Sequence, residues 1–137
     1  MNQVLYALCR HCVGIMDGWR PYPAWAVAQQ AGVSLYVARK ELRRLKQEGV
    51  VDTICEKPSA EDCENTLPYH GWTITRKAYD SEEYIAAANK EADICAECFG
   101  STKEEYLRAF LGRDEKKHML RKVEQVLSKD STKEGSV

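Results

Sequence analysis

Residues 32–51, GVSLYVARKELRRLKQEGVV, decide how the first half of this chain is read. Ser34 is a favoured residue at the start of a helix, because its hydroxyl accepts from a backbone N–H that an opening helix leaves unpaired. Gly49 is the favoured residue for a left-handed turn just past a helix end. Together they bracket a helix predicted over residues 35–48. At about 100° per residue, Ala38, Leu42 and Leu45 form one apolar stripe, with Ser34, Leu35 and Glu41 at its edges. Tyr36, Arg39, Lys40, Arg43 and Gln47 fall on the opposite side, with Arg44 flanking. An apolar inner face and a basic, donor-rich outer face suit a major groove ~12 Å wide.

Working outward, residues 24–31 form a shorter predicted helix, with Pro23 at its first position and Gly32 as its stop. A first helix is predicted over residues 2–17, where Val4, Leu5, Leu8, Cys9, Cys12, Val13 and Met16 recur at three- and four-residue steps. Gly18-Trp-Arg-Pro-Tyr-Pro23 is a turn. Beyond Gly49 the pattern changes to strand-like composition at residues 50–55 and 71–75, with a polar loop over residues 56–70. Thr75 or Ser81 then caps a fourth helix running to about residue 99, with Tyr84, Ala88, Ala92, Cys95 and Phe99 as its apolar positions. Ser101-Thr102 with Glu104-Glu105 has the spacing of a capping box, and opens a helix carrying Tyr106, Leu107, Phe110 and Leu111. After Gly112 a last helix is expected, with Met119, Leu120, Val123, Val126 and Leu127 in one seam.

The pattern of residues 32–51 resembles the turn and recognition helix of bacterial winged helix-turn-helix regulators. Gly32, Val33 and Ser34, then Ala38, Leu42 and Leu45, then Glu48-Gly49 and Val50-Val51 occupy the matching places. Residues 71–80, GWTITRKAYD, resemble the second wing strand and its exit in the broad class that includes MarR-like proteins. The resemblance covers about residues 1–80. It implies a mainly α fold with a small β-hairpin, a winged helix-turn-helix domain at 1–80; beyond the resemblance, apolar periodicity gives a helical extension at 81–128 suited to dimerisation, followed by a tail at 129–137. The resemblance also implies sequence-specific binding of double-stranded DNA by a transcriptional regulator, with Tyr36, Arg39, Lys40, Arg43 and Arg44 on the DNA. One recognition helix reads few bases and operators are commonly two-fold symmetric, so a homodimer is expected.

This sequence departs from the pattern in two places. The wing loop carries Glu56, Glu61, Asp62 and Glu64 against a single Lys57, whereas a minor groove attracts cations. Such a loop stays off DNA or meets a protein partner. Leu35 and Val37 stand where small polar residues are common; Val37 suits a thymine methyl or a protein-binding groove.

Composition supports a folded chain, with 44% hydrophobic and 30% charged residues among 137. The net charge is −1, so any attraction for nucleic acid must be local. Residues 1–58 hold eight Lys and Arg against five Asp and Glu, residues 59–100 three against nine, and residues 101–137 nine against seven. The densest basic cluster is Arg39, Lys40, Arg43, Arg44 and Lys46. The start, MNQVLYALCRHCVG, has neither a basic leader region nor a small-residue cleavage site, and no apolar run approaches ~20 residues. A cytoplasmic protein with reduced thiols is expected.

Two C-x-x-C pairs, Cys9/Cys12 and Cys95/Cys98, raise a four-cysteine metal site or a redox switch. Both fall within predicted helices, where they also fit as small apolar packing residues, Cys9 and Cys12 beside Leu5, Leu8 and Met16, and Cys95 and Cys98 beside Ile94 and Phe99. Trp19, Tyr22 and Trp25 either close one end of the core or line a ligand or partner pocket. His11, His70 and His118 have no partner at ligand spacing, and no nucleophile–base set or phosphate loop is present. The sequence therefore points to a binding protein without a cofactor rather than an enzyme. Three roles remain open: a DNA-binding regulator, a protein-interaction module in a replication or mobile-element assembly, and a metal- or redox-responsive repressor.

Overall fold

A computed structural model of the chain describes residues 1–14, 18, 20–56 and 69–111. These residues are mainly helical, with one small antiparallel sheet. They fall into two compact units, Met1–Tyr84 and Ile85–Val137.

The first unit opens with α1, Gln3–Cys12, whose first turn is closed by Asn2 accepting from the Leu5 N–H at 3.0 Å. Its buried face is Val4, Leu5, Ala7, Leu8, Cys9 and Cys12. The helix is shorter than the 2–17 expected. Gly14 donates to His11 three residues back, a tightened last turn that ends the α-helical ladder. Residues 15–17 and Trp19 lie outside the described residues.

Tyr22 then pairs with Trp72 as an isolated antiparallel bridge, through N–H···O bonds of 3.0 and 2.8 Å. His11 braces this segment: its ring stacks on Tyr22 at 4.0 Å, and its Nε2 lies 2.8 Å from the Arg20 carbonyl. Helix α2, Ala24–Ala31, follows. Pro23 precedes it rather than occupying its first position. Its ψ of 150° is extended, and its carbonyl accepts from Ala26 and Val27.

Helix α3, Leu35–Gln47, packs against α2. Ser34 accepts from Val37 at 3.2 Å, as its position in the sequence implies. Ser34→Ala is expected to lower stability by about 1 kcal/mol, the usual loss for an N-cap oxygen. Chemical denaturation checks this, and an unchanged midpoint would mean the hydroxyl is not closing the helix. Gly49, at φ +79°, lets the Val50 N–H return to the Leu45 carbonyl and so seals the other end.

That seal moves the first strand. Val50 was expected to begin it, but its N–H closes α3 and its carbonyl accepts from Thr75, so β1 runs Val51–Glu56. Strand β2, Tyr69–Ile74, starts two residues before the expected position, because Glu56 and Cys55 pair with Tyr69 and His70. Glu56, Tyr69 and His70 thus belong to the sheet rather than to the loop; residues 57–68 lie outside the described residues. A 3₁₀ turn, Arg76–Asp80, leads to Ser81, which caps α4 by accepting from Tyr84 at 3.1 Å. Thr75 instead bonds the carbonyls of Gly49 and Val50. The core of this unit includes Leu8, Val13, Val27, Ala38, Leu42, Val51 and Ala78, all essentially inaccessible.

Helix α4 spans Glu82–Phe99. Of its expected apolar positions Tyr84, Ala88, Ala92 and Cys95 are buried, but Phe99 is 65% exposed and Ile94 and Cys98 also face outward. Helix α5, Lys103–Leu111, opens with Thr102 accepting from Glu105 and buries Leu107, Phe110 and Leu111. Lys103 pairs with Asp93 at 3.1 Å. The last helix and tail expected after Gly112 lie outside the described residues. No helix among the described residues is long and apolar enough to cross a membrane.

Candidate nucleic-acid interface

Helix α3 divides as its sequence predicts. Ala38, Leu42 and Leu45 are buried, while Tyr36, Arg39, Lys40, Arg43, Arg44 and Gln47 are exposed. Burial of one stripe against the core fixes which way the other points. The exposed cations then separate into two kinds.

Arg39, Lys40 and Arg43 make no hydrogen bond or ion pair with any described residue. Arg44 is committed within its own helix. Its Nε donates to both Glu41 oxygens at 3.0 and 3.1 Å, its Nη2 also reaches Glu41, and its Nη1 donates to Glu48 at 2.9 Å. Asn2 adds a bond to Glu41 at 2.7 Å, and its own backbone N–H donates to Glu83 at 2.8 Å. This chain of contacts ties the start of α1 to the middle of α3. Lys46 reaches across to β1, 3.1 Å from Thr53 Oγ1 and 3.7 Å from Asp52. Lys77 covers the end of α3 by donating to the Glu48 carbonyl at 2.8 Å.

The Arg44 guanidinium, with help from Asn2, holds the Glu41 carboxyl below its ordinary value of 4.5, against the opposing pull of partial burial. A carboxyl lowered by folding contributes stability that is fully present above its unfolded value and is lost as pH falls through its folded value. Glu41→Gln is therefore expected to be less stable than the parent at neutral pH, with the difference shrinking below pH 4.5. Thermal melts across the acid range test this. A constant difference would mean that the Glu41 charge contributes nothing.

Beside the free cations lies a groove. A cavity of about 430 Å³ is lined by Trp25, Arg39, Arg43, Thr53, His70 and Trp72, together with the residues flanking them. A second, of about 580 Å³, continues along the same seam past Arg43, Lys46, Gln47, Thr53 and Trp72. Trp25 is 63% exposed, so it does not close the core. Tyr22 is half-buried, and burial raises its phenol pKa. Sequence reasoning did not place Trp25, His70 or Trp72 beside the arginines. A signal existed for Trp25: it stands four residues before the polar Gln29, on the side of α2 opposite buried Val27.

The cysteine pairs differ in setting. Cys9 and Cys12 are both buried in α1, and burial pushes the Cys9 thiol well up, with Cys12 and Glu83 adding to the effect. A thiol held protonated in this way is a poor nucleophile. In α4, Cys95 is buried and Cys98 exposed. Among the described residues no three or more His, Cys, Asp or Glu side chains gather as a metal site. The acidic positions Glu61, Asp62 and Glu64 lie outside the described residues.

No protein-family model matches the chain, and no curated protein or solved structure does.

Proposed function

We propose that Met1–Tyr84 is a winged helix-turn-helix domain that binds double-stranded DNA through α3, as a sequence-specific transcriptional regulator acting as a homodimer. The order α1, bridge at Tyr22, α2, α3, β1, β2 supports the fold, the Tyr22–Trp72 pairing serving as the short strand between the first two helices. One observation carries the function: Arg39, Lys40 and Arg43 are exposed and without described partners, on a helix whose opposite face is buried. Cations so placed gain most from phosphates and guanine edges. Arg44 fits a supporting role, since its guanidinium already grips two carboxylates. Dimerisation through the helices after residue 81 gives a two-fold site its matching symmetry.

The test is binding to blunt duplexes over a salt series. Three phosphates neutralised per protomer give a log–log slope of about −2.7 for each protomer. Binding with a slope near zero, or no binding, would contradict the proposal. A protein-interaction module is the second reading, favoured by consecutive exposed Leu35, Tyr36 and Val37 at the start of α3 and by the acidic wing loop. That role requires partner binding that persists without duplex. A thiol- or metal-responsive repressor using Cys9, Cys12, Cys95 and Cys98 is less well supported, because Cys98 is exposed while the other three are buried.

A further inference from the structure

We propose that the groove between α3 and the β1–β2 hairpin holds an unpaired strand of nucleic acid, its phosphates on Arg39 and Arg43 and its bases against Trp25 and Trp72. The inference rests on the reading that the basic face of α3 meets nucleic acid, and adds to it a second kind of substrate.

The two cavities share Arg43, Thr53 and Trp72, and so form one trough along the helix. Each is in the ~300–1,000 Å³ range of ligand sites. Their succession along α3 favours an extended occupant over a compact one. Arg39 and Arg43 stand one helical turn apart, ~6 Å along the axis, and Lys46, which must first leave Asp52 and Thr53, follows ~4.5 Å further on. That is a regular positive edge for a phosphate chain. Arg39 and Arg43 line the groove and have no described partner to release.

The tryptophans decide between strand and duplex. In a duplex the base faces are covered by their stacked neighbours, so an indole finds only backbone and edges. An unpaired base offers both faces, and aromatic stacking with it is strong and tolerant of sequence. Trp25, largely exposed at the start of α2, and half-buried Trp72 on β2 line the same cavity as the arginines. Cationic edge and aromatic wall together match the chemistry of a single strand. Because Arg39 and Arg43 serve both substrates, strand and duplex compete.

The experiment uses the full chain and two labelled probes, a dT12 oligonucleotide and a blunt duplex, read by fluorescence anisotropy. Trp25→Ala is the key variant, since an exposed side chain is removable without disturbing the core. It is expected to weaken dT12 binding by about tenfold or more, while duplex affinity stays within about twofold. Trp25→Phe is expected to restore much of the dT12 affinity, and unlabelled dT12 is expected to displace the duplex. If dT12 does not bind while duplex does, the inference is wrong and the duplex reading stands. If Trp25→Ala weakens both probes equally, Trp25 belongs to the duplex interface and the inference is again wrong. Trp25-dependent binding of dT12 alone would uphold the groove and overturn the duplex reading. Displacement of dT12 by polyglutamate, with Trp25→Ala indifferent, would make this an acidic-peptide groove and overturn the proposal.

Discussion

Replacing Arg39 and Arg43 together with alanine is expected to lower duplex affinity at least about tenfold and to flatten the salt slope by about two per protomer. Both side chains are exposed and neither bonds another described residue, so their loss leaves the fold intact. Alanine is also the better helix former, which makes destabilisation still less able to explain a change in binding. The melting temperature should stay close to that of the parent. Arg44→Ala makes the contrast. It breaks the bonds to Glu41 and Glu48, so it is expected to reduce stability while changing the salt slope much less. If the double variant binds over the salt series as the parent does, α3 is not the contact. If Arg44→Ala flattens the slope as far as either single arginine change, the division into free and committed cations fails.

Gly71→Ala is expected to have the largest effect on stability among the single changes. A Cβ at this position would stand 2.7 Å from the backbone N, C and O of Tyr22. Backbone atoms cannot rotate aside as a side chain can, so the bridge itself must open. The two bonds joining Tyr22 and Trp72 would lengthen or break. Overpacking of this kind costs about 1–3 kcal/mol, and each kcal/mol moves the midpoint of a small domain by about 4–8 °C. Because Trp72 lines the groove and Tyr22 leads directly into α2, binding should fall as well. Circular dichroism melts check the stability change. An unchanged midpoint would mean that Tyr22 and Trp72 are not paired as described.

What the sequence revealed was mostly local. Ser34 and Gly49 bracket α3, and Gly32 stops α2, because caps and left-handed turns depend on residues within one helical turn. The apolar stripe of Ala38, Leu42 and Leu45 was equally plain, since periodicity alone sets it. The early end of α1 was hidden because Met16 continues the apolar spacing beyond Gly14. Pairing of Arg44 was within reach: Glu41 and Glu48 stand three before and four after it, the distances at which helix side chains meet.

The rest needed the chain to be folded. Nothing near Tyr22 announces Trp72, fifty residues on, as its partner. The meeting of Trp25, Arg39 and Trp72 draws on three elements whose spacing along the chain is uninformative. Exposure of Phe99 and Ile94 likewise contradicts an apolar periodicity that, read alone, implies a buried face.

The central claim is that α3 reads duplex DNA. Selection of binding sites from a pool of random blunt duplexes tests it most directly. The account predicts enrichment of one motif, built of two-fold related half-sites about 10 bp or a multiple of that apart, and loss of that enrichment with Arg39→Ala/Arg43→Ala. A pool that keeps its starting composition through successive rounds, with correctly folded protein, would contradict it.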